Sequence, residues 1–196
     1  PPAPTRPSHS GHHHSTPNIT PQKDETVKLY AGNTELDLDK PFVLTGYGDG
    51  QLHENDPITR AQFAVLLYRS LTDDSKDALA GSTSVFTDVS DDSWYYDAVS
   101  VFASVGVLNG CNGFFRPNDN LTYGQLIAIL TRFVDAKTAP MPDVSYAEHW
   151  AHKNIMTAVA YGWIQDAASV QPDRIVTRGE VVELVNSIFE RCADNA

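Results

Sequence analysis

Three short segments place side chains where they could meet a ligand: Ile58-Thr59-Arg60-Ala61-Gln62-Phe63, Leu121-Thr122-Tyr123-Gly124-Gln125-Leu126 and Val176-Thr177-Arg178-Gly179-Glu180-Val181. Each reads as the start of a helix. An arginine at the first helical position is mildly disfavoured there by the positive end of the helix dipole. Arg60 and Arg178 are therefore better explained by an anion. A guanidinium can grip a carboxylate through two parallel bonds, and the unpaired N–H groups of a helix start would add to the same site. A structural ion pair with one of the chain's many acidic residues is the competing reading. Tyr123 stands where the other segments have arginine, and could stack on a sugar face or only cover the core. Asp49, within Gly48-Asp49-Gly50, invites a calcium reading, but the stretch GDGQLHEND lacks the alternating ligands and distant Glu of an EF-hand loop. Turn chemistry accounts for it better, with Gly50 and its neighbours letting loop backbone approach a ligand closely. No Ser/His/Asp set, paired-histidine metal motif or phosphate loop is present. His149 and His152 flank Trp150 without further ligand-type residues at metal spacing. Neither an enzyme nor a cofactor is expected.

The elements that must position these residues follow from the same segments. Thr59, Thr122 and Thr177 are N-caps, and Gln62, Gln125 and Glu180, three residues on, complete capping boxes worth about 1 kcal/mol each. Apolar residues at helical spacing follow, from Phe63 to Leu71, Leu126 to Val134 and Val181 to Phe189. Upstream of the second and third caps, Trp94 and Trp150 each open a second helical run that a glycine, Gly106 or Gly162, ends as a C-cap. Trp94 and Trp150, on apolar helix faces, are expected in the core, with a platform for sugar stacking as the competing reading, and Trp163 is expected to be buried as well. The unit is helix, turn-rich loop, helix; the caps lie 63 and 55 residues apart.

Composition bounds what the repeats can do. The chain has 196 residues, 14 Lys and Arg against 25 Asp and Glu, a formal charge of -11 and a pI near 4.9. That argues against binding nucleic acid or an anionic membrane by bulk attraction, so any anionic partner must be held by a few local cations. No apolar run approaches the ~18 residues of a membrane helix. Cys111 and Cys192 are the only cysteines, which allows one bridge or two free thiols. Residues 1–22 hold 6 of the 12 prolines and 4 of the 7 histidines, and read as an extended linker; His12, His13 and His14 are a solvated tract rather than a metal site.

Several pieces recur in order: Phe86-Thr87-Asp88-Val89, the Trp-led run, Gly followed by two apolar residues, a Gly-rich loop ending in Phe115-Arg116-Pro117, and the Thr-capped segments. This combination resembles the S-layer homology family in three tandem copies, over roughly residues 42 to 192. The resemblance implies a mainly α, three-pronged bundle with a pseudo-threefold axis and one long helix per repeat at its centre. The repeats would span 23–80, 81–138 and 139–196. It implies an extracellular module at the bacterial cell surface, bound non-covalently to cell-wall polysaccharide, often pyruvylated, in grooves between repeats. Arg60, Arg178, Gln62, Glu180, Tyr123, Gln125, Asp49 and Gly50 are the expected ligand residues. Other surface-layer proteins are possible partners, and an N-terminal cargo domain is expected ahead of the linker. A structural or assembly module with lost carbohydrate binding is the alternative. The departures are specific. Repeat one has no Trp-led helix, and the pattern from Val27 to Leu38 suits a short hairpin; Tyr123 replaces the family's arginine; the third loop, Asp166 to Pro172, lacks glycines.

Overall fold

The computed structural model describes residues 29–46, 48–137 and 144–194. The proline- and histidine-rich stretch 1–22 and Asp143 lie outside the described residues. A hairpin of β1 (Tyr30–Ala31) and β2 (Thr34–Glu35) opens the fold, turning through Gly32 at φ +57°. Six α-helices follow among the described residues: α1 (Arg60–Arg69), α2 (Asp73–Ala78), α3 (Tyr96–Ser104), α4 (Tyr123–Leu130), α5 (His152–Ala160) and α6 (Arg178–Asp194). The fold is mainly helical with a short β element on its N-terminal side. No helix among the described residues is long and apolar enough to cross a membrane.

The residues ahead of the three caps show why α1, α4 and α6 converge. Leu121 donates its N–H to the carbonyl of Ile58 (2.9 Å), Ile58 to Val176 (3.2 Å) and Val176 to Leu121 (3.0 Å). The three amides form a closed ring, with each residue donating to one neighbour and accepting from the other. Their side chains are almost completely buried. Buried amides need partners, and here each repeat satisfies the next. Phe63, Leu67, Leu126, Ile127, Val181 and Val185 continue the core down the three helices. α1 packs on α3 and α4 on α5. Beside α6, residues 38–42 take the corresponding place, with Phe42 and Asn186 exchanging two hydrogen bonds of 2.9 and 3.0 Å.

The caps form as their spacing predicts. Thr59, Thr122 and Thr177 each accept from the backbone N–H of the third helical residue, whose Gln or Glu side chain bonds back to the cap amide. Gly106 and Gly162 terminate α3 and α5 at φ +74° and +71°. In both, the next N–H reaches back to close a Schellman turn, Val107 to Phe102 and Trp163 to Ala158.

The two expected core tryptophans are a correction. Trp94 is 65% and Trp150 58% exposed, whereas Trp163 is buried. The helices begin two residues after each of these tryptophans. Hydrogen bonds from Tyr96 N to Ser93 O and from His152 N to His149 O, both 2.9 Å, close a turn around the tryptophan. Its side chain therefore leaves from the outside of a turn, not from the apolar face that follows. Cys111 is exposed and Cys192 buried, and both are free thiols; burial pushes the Cys192 thiol up to about 11.

Candidate functional site: grooves at the repeat junctions

The resemblance implies one long helix per repeat, but only α6 is long, with 17 residues against 10 in α1 and 8 in α4. The start of each of these three helices is covered by a loop from the neighbouring repeat. Arg60 N and Ala61 N donate to Asp119 O and Pro117 O, Tyr123 N and Gly124 N to Arg174 O and Pro172 O, and Arg178 N and Gly179 N to Asp56 O and Glu54 O, all at 2.8–3.0 Å. This explains the small residue at the second helical position. A Cβ on Gly124 would lie 3.1 Å from Pro172 O, and one on Gly179 3.2 Å from Glu54 O. It also corrects the expectation that the helix-start amides are open to a ligand. The first two bond to loop carbonyls and the third to the cap threonine, which leaves side chains as the groups these junctions present to solvent.

The two arginines reach along the same loops. Arg60 donates Nε to Phe115 O (2.9 Å) and Nη2 to Asn109 O (3.0 Å), with its guanidinium 4.6 Å from the Phe115 ring centre. Arg178, 3% exposed, donates Nε to Leu52 O (3.1 Å) and Nη2 to Thr45 O (2.7 Å). Backbone carbonyls as partners were not among the sequence expectations, which weighed only an anionic ligand against an ion pair. The residue after each accepting Nε carbonyl takes a left-handed conformation, His53 at φ +54° and Arg116 at +60°. The second loop is also held by Asp88 of the F-x-D-V motif, whose carboxylate accepts from Phe115 N (2.8 Å) and Arg116 N (2.7 Å).

Two cavities open where these arginines emerge, and they share one plan. The first, about 240 Å³, is walled by Arg178, Gln62, Val65, Leu66 and Arg69, with Thr45 and Gly46 from the loop and Trp94 from the next repeat. The second, about 440 Å³, has Arg60, Gln125, Ala128, Ile129 and Arg132, the loop Asn109–Arg116 in large part, Asp119, and Trp150. Arg69 and Arg132 each stand ten residues after a cap threonine. Arg69 donates Nη1 to Thr45 Oγ1, and Arg132 donates Nη1 to Val107 O at 2.6 Å. Within 4.0 Å of Arg60, Arg69 and Arg132 no carboxylate oxygen is found among the described residues. Burial lowers the Arg60 pKa, an effect that Asp119 opposes and Arg116 and Arg132 reinforce, and burial lowers that of Arg132. Guanidinium nonetheless stays charged in proteins. The result is local positive charge beside an exposed indole, within a chain of net charge -11.

The third junction differs at every one of these positions. Tyr123 occupies the arginine position, Glu180 the glutamine position and Ser187 the position of Arg69 and Arg132. Glu180 accepts from Arg174 Nη1 (2.7 Å) and Thr177 N (2.8 Å), and the Arg174 guanidinium lies 5.4 Å from the Tyr123 ring centre. Burial alone would raise the Glu180 carboxyl, but the Thr177 amide and Arg174 hold it below the ordinary carboxylate range.

Asp49 and Gly50 sit on the exposed rim of the first loop. Asp49 accepts from Gln51 N (2.9 Å) in a turn, and its second oxygen lies 2.5 Å from His53 Nε2, while His53 Nδ1 lies 3.2 Å from Asp56. The Asp49 contact, followed by the Asp56 charge, raises the His53 pKa against partial desolvation; the Gln51 amide first and His53 second lower that of Asp49. The raised His53 value means that its contribution is complete below about pH 6.5, its unfolded value, and is lost as pH rises through the folded value. The lowered Asp49 value gives the opposite limb, lost on acidification. Amide exchange at residues 49–56 should therefore accelerate on going from pH 6 to pH 8.5, beyond the intrinsic chemical rate. Loss of that extra acceleration in His53→Asn would confirm the source, and unchanged protection in the wild type would refute it.

The sequence expectations left out Arg69 and Arg132 and favoured the core over a sugar-stacking surface for Trp94 and Trp150. The arginines were legible in principle, because aligning the caps puts them in one register; the tryptophans were not, since the turn that turns them outward leaves the hydrophobic pattern unchanged.

Fold and grooves define a cyclic helical repeat module with solvent-open, cationic and aromatic junctions. Residues 85–127 match the model of the S-layer homology domain. It is 29% identical over 185 residues to a cellulosome-anchoring protein of Acetivibrio thermocellus, covering 88% of this chain and 40% of that one. It is 26% identical over 179 residues to a surface-layer 125 kDa protein of Lysinibacillus sphaericus, covering 86% and 14%. To a middle cell wall protein of Brevibacillus brevis it is 23% identical over 172 residues, covering 84% and 16%. The chain thus spans less than half the length of these relatives.

Proposed function

We propose that this chain is a non-catalytic module that anchors a larger protein to the bacterial cell surface by binding acidic cell-wall polysaccharide in the grooves between repeats. The observation that carries the reading is the second groove, where Arg60 and Arg132 face a cavity beside exposed Trp150 and, among the described residues, neither has a carboxylate oxygen within 4.0 Å, Asp119 lying on the rim. A sugar ring can stack on the indole while a guanidinium edge not used by loop carbonyls meets an acid group on the sugar. A pyruvate ketal carboxylate suits this chemistry, being a compact anion fixed rigidly to a pyranose. At the first groove Arg69 and Trp94 stand as Arg132 and Trp150 do at the second, and Arg178 and Gln62 line the same cavity. The match of residues 85–127 to the S-layer homology domain and the relatives named for cellulosome anchoring, surface layers and cell wall support the surface location. Other surface-layer components are candidate assembly partners, and a cargo domain continuous with the module is consistent with the short share of each relative that it spans. The domain organisation proposed is a linker over 1–22 followed by repeats at 23–80, 81–138 and 139–196.

A structural or assembly role is favoured at one place, the third junction, where the Arg174–Glu180 pair satisfies its own charges. Co-sedimentation decides between the readings. The protein should pellet with purified walls that retain pyruvylated polysaccharide and remain in solution with walls from which mild acid has removed the ketals. Equal sedimentation with both would sink the pyruvate assignment, and failure to pellet with either would sink the anchoring reading.

A further inference from the structure

We infer that Asn112 is a site of spontaneous covalent modification, at which the Gly113 nitrogen displaces the side-chain amide and leaves aspartate or isoaspartate in the loop that walls the second groove. The inference does not depend on the anchoring reading.

Three pairs in the chain could close a five-membered cyclic imide onto a following glycine: Asp49-Gly50, Asn109-Gly110 and Asn112-Gly113. Glycine favours the reaction because no Cβ shields its nitrogen. All six residues are exposed, so exposure does not separate the pairs. Their bonding does. Asp49 accepts from Gln51 N at 2.9 Å and faces His53 Nε2, contacts that hold its carboxyl below the ordinary carboxylate range. An ionised carboxylate is a poor electrophile. Asn109 is held at both ends: its backbone carbonyl accepts from Arg60 Nη2 (3.0 Å), and its side chain accepts from Arg132 Nη2 (3.0 Å) and donates to Leu108 O (3.2 Å). Gly110 is packed so closely that a Cβ there would lie 2.3 Å from Phe114 O. Bringing Asn109 Cγ onto Gly110 N would break bonds to both guanidinium groups.

Asn112 and Gly113 form the two-residue tip of a hairpin, at φ +52° and +82°, closed by the reciprocal bonds of Cys111 and Phe114 at 2.9 and 3.0 Å. Asn-Gly is a favoured sequence for such a tip. Turn formation explains why these residues are present, and their bonding shows what they are left able to do. Neither the Asn112 side chain nor the Gly113 N–H has a hydrogen-bond partner among the described residues, and no heavy atom beyond the chain neighbours lies within 4 Å of where a Gly113 Cβ would stand. Opening the tip breaks only the one reciprocal pair of bonds.

The reaction balances with water as its one co-reactant. Gly113 N attacks Asn112 Cγ, the Gly113 proton departs with Nδ2 as ammonia, and the cyclic imide remains. Water then opens the ring. Cleavage of the new Cγ–N bond gives aspartate; cleavage of the original peptide bond gives isoaspartate, whose main chain runs through Cβ and is one carbon longer. That extra atom does not fit a two-residue tip. Gly113 O accepts from Thr87 N (2.9 Å) and Thr87 Oγ1 (3.2 Å), next to the Asp88 carboxylate that holds Phe115 N and Arg116 N. Isoaspartate at 112 therefore loosens the groove loop from the F-x-D-V segment, and either product adds a negative charge to it.

The test is peptide mapping by mass spectrometry of the full chain aged at mildly alkaline pH, with isoaspartate detected by enzymatic methylation. In the folded protein Asn112 should convert roughly tenfold or more faster than Asn109, because bonds to charged groups must break first at Asn109. In denaturant the two should convert at similar rates. Asn112→Gln should give no product at that position on the same timescale, since its side chain would need a six-membered ring. Amide signals of Thr87 and Phe115 should move in the aged protein while those of Leu52 and Glu54 stay in place. Asn109 keeping pace with Asn112 in the folded chain, or Asn112 remaining intact there while it converts in denaturant, would overturn the inference. Unmoved Thr87 and Phe115 signals in converted protein would overturn the coupling to the groove loop.

Discussion

Replacing Trp94 and Trp150 together by alanine should abolish sedimentation with cell walls while leaving the thermal midpoint within about 2 °C of the wild type. Both indoles are more than half exposed, so their removal deletes little buried surface and opens no internal cavity. Surface substitutions of that kind generally lie within about 0.5 kcal/mol. The turns that carry them are closed by backbone hydrogen bonds and do not depend on the side chains. Each indole nonetheless forms one wall of a cavity whose opposite wall is cationic. An aromatic anchor in such a position commonly contributes about 2 kcal/mol or more to binding, which corresponds to about thirtyfold in affinity per groove. Loss at both grooves compounds when one polymer occupies them simultaneously. Single variants should each retain partial sedimentation. A double variant that pellets as well as the wild type would show that the indoles are only surface residues.

Legibility in the sequence divided along a physical line. The caps and the helix-ending glycines were readable because they act within a few residues of their own backbone. A threonine followed three residues later by Gln or Glu specifies one local geometry almost regardless of its surroundings, and all three formed. The hairpin at Tyr30–Glu35 was readable for the same reason, with Gly32 and Asn33 between short alternating segments. What could not be read was set between repeats. Nothing local to Arg60 indicates that its guanidinium will meet the carbonyls of Asn109 and Phe115, and nothing local to Thr59 indicates that the amides beyond it will be covered by Pro117 and Asp119. The ring of Ile58, Leu121 and Val176 likewise joins residues more than fifty positions apart along the chain. Such contacts arise from closing a three-membered cycle, and the sequence records them only as a repetition of one residue type at one register.

That division makes Arg178→Ala the most informative loss of stability. Arg178 is 3% exposed and crosses from the third repeat to the first loop, donating to Leu52 O and Thr45 O. Alanine would leave acceptors in a partly closed interface without their donors and remove the packing of the long side chain. Removing charged hydrogen bonds of this kind costs about 1.5–3 kcal/mol, and lost packing adds to it. For a chain of this size each kcal/mol corresponds to about 2–4 °C, so the midpoint should fall by roughly 5–15 °C. Lysine should not rescue it, because a single ammonium cannot span two carbonyls with the fixed fork of a guanidinium. The loss should be local before it is global. Arg178 N and Gly179 N donate to Asp56 O and Glu54 O of the same loop, and their exchange protection should collapse while that of Leu126 and Ile127 in α4 persists. A variant with an unchanged midpoint and unchanged protection at Gly179 would mean that the loop is held without the arginine. The residue would then be present for the ligand alone. The tryptophan pair and this arginine therefore test opposite halves of one groove: the indoles should affect binding without stability, and the guanidinium should affect both, because it holds the loop that forms the wall opposite the indole.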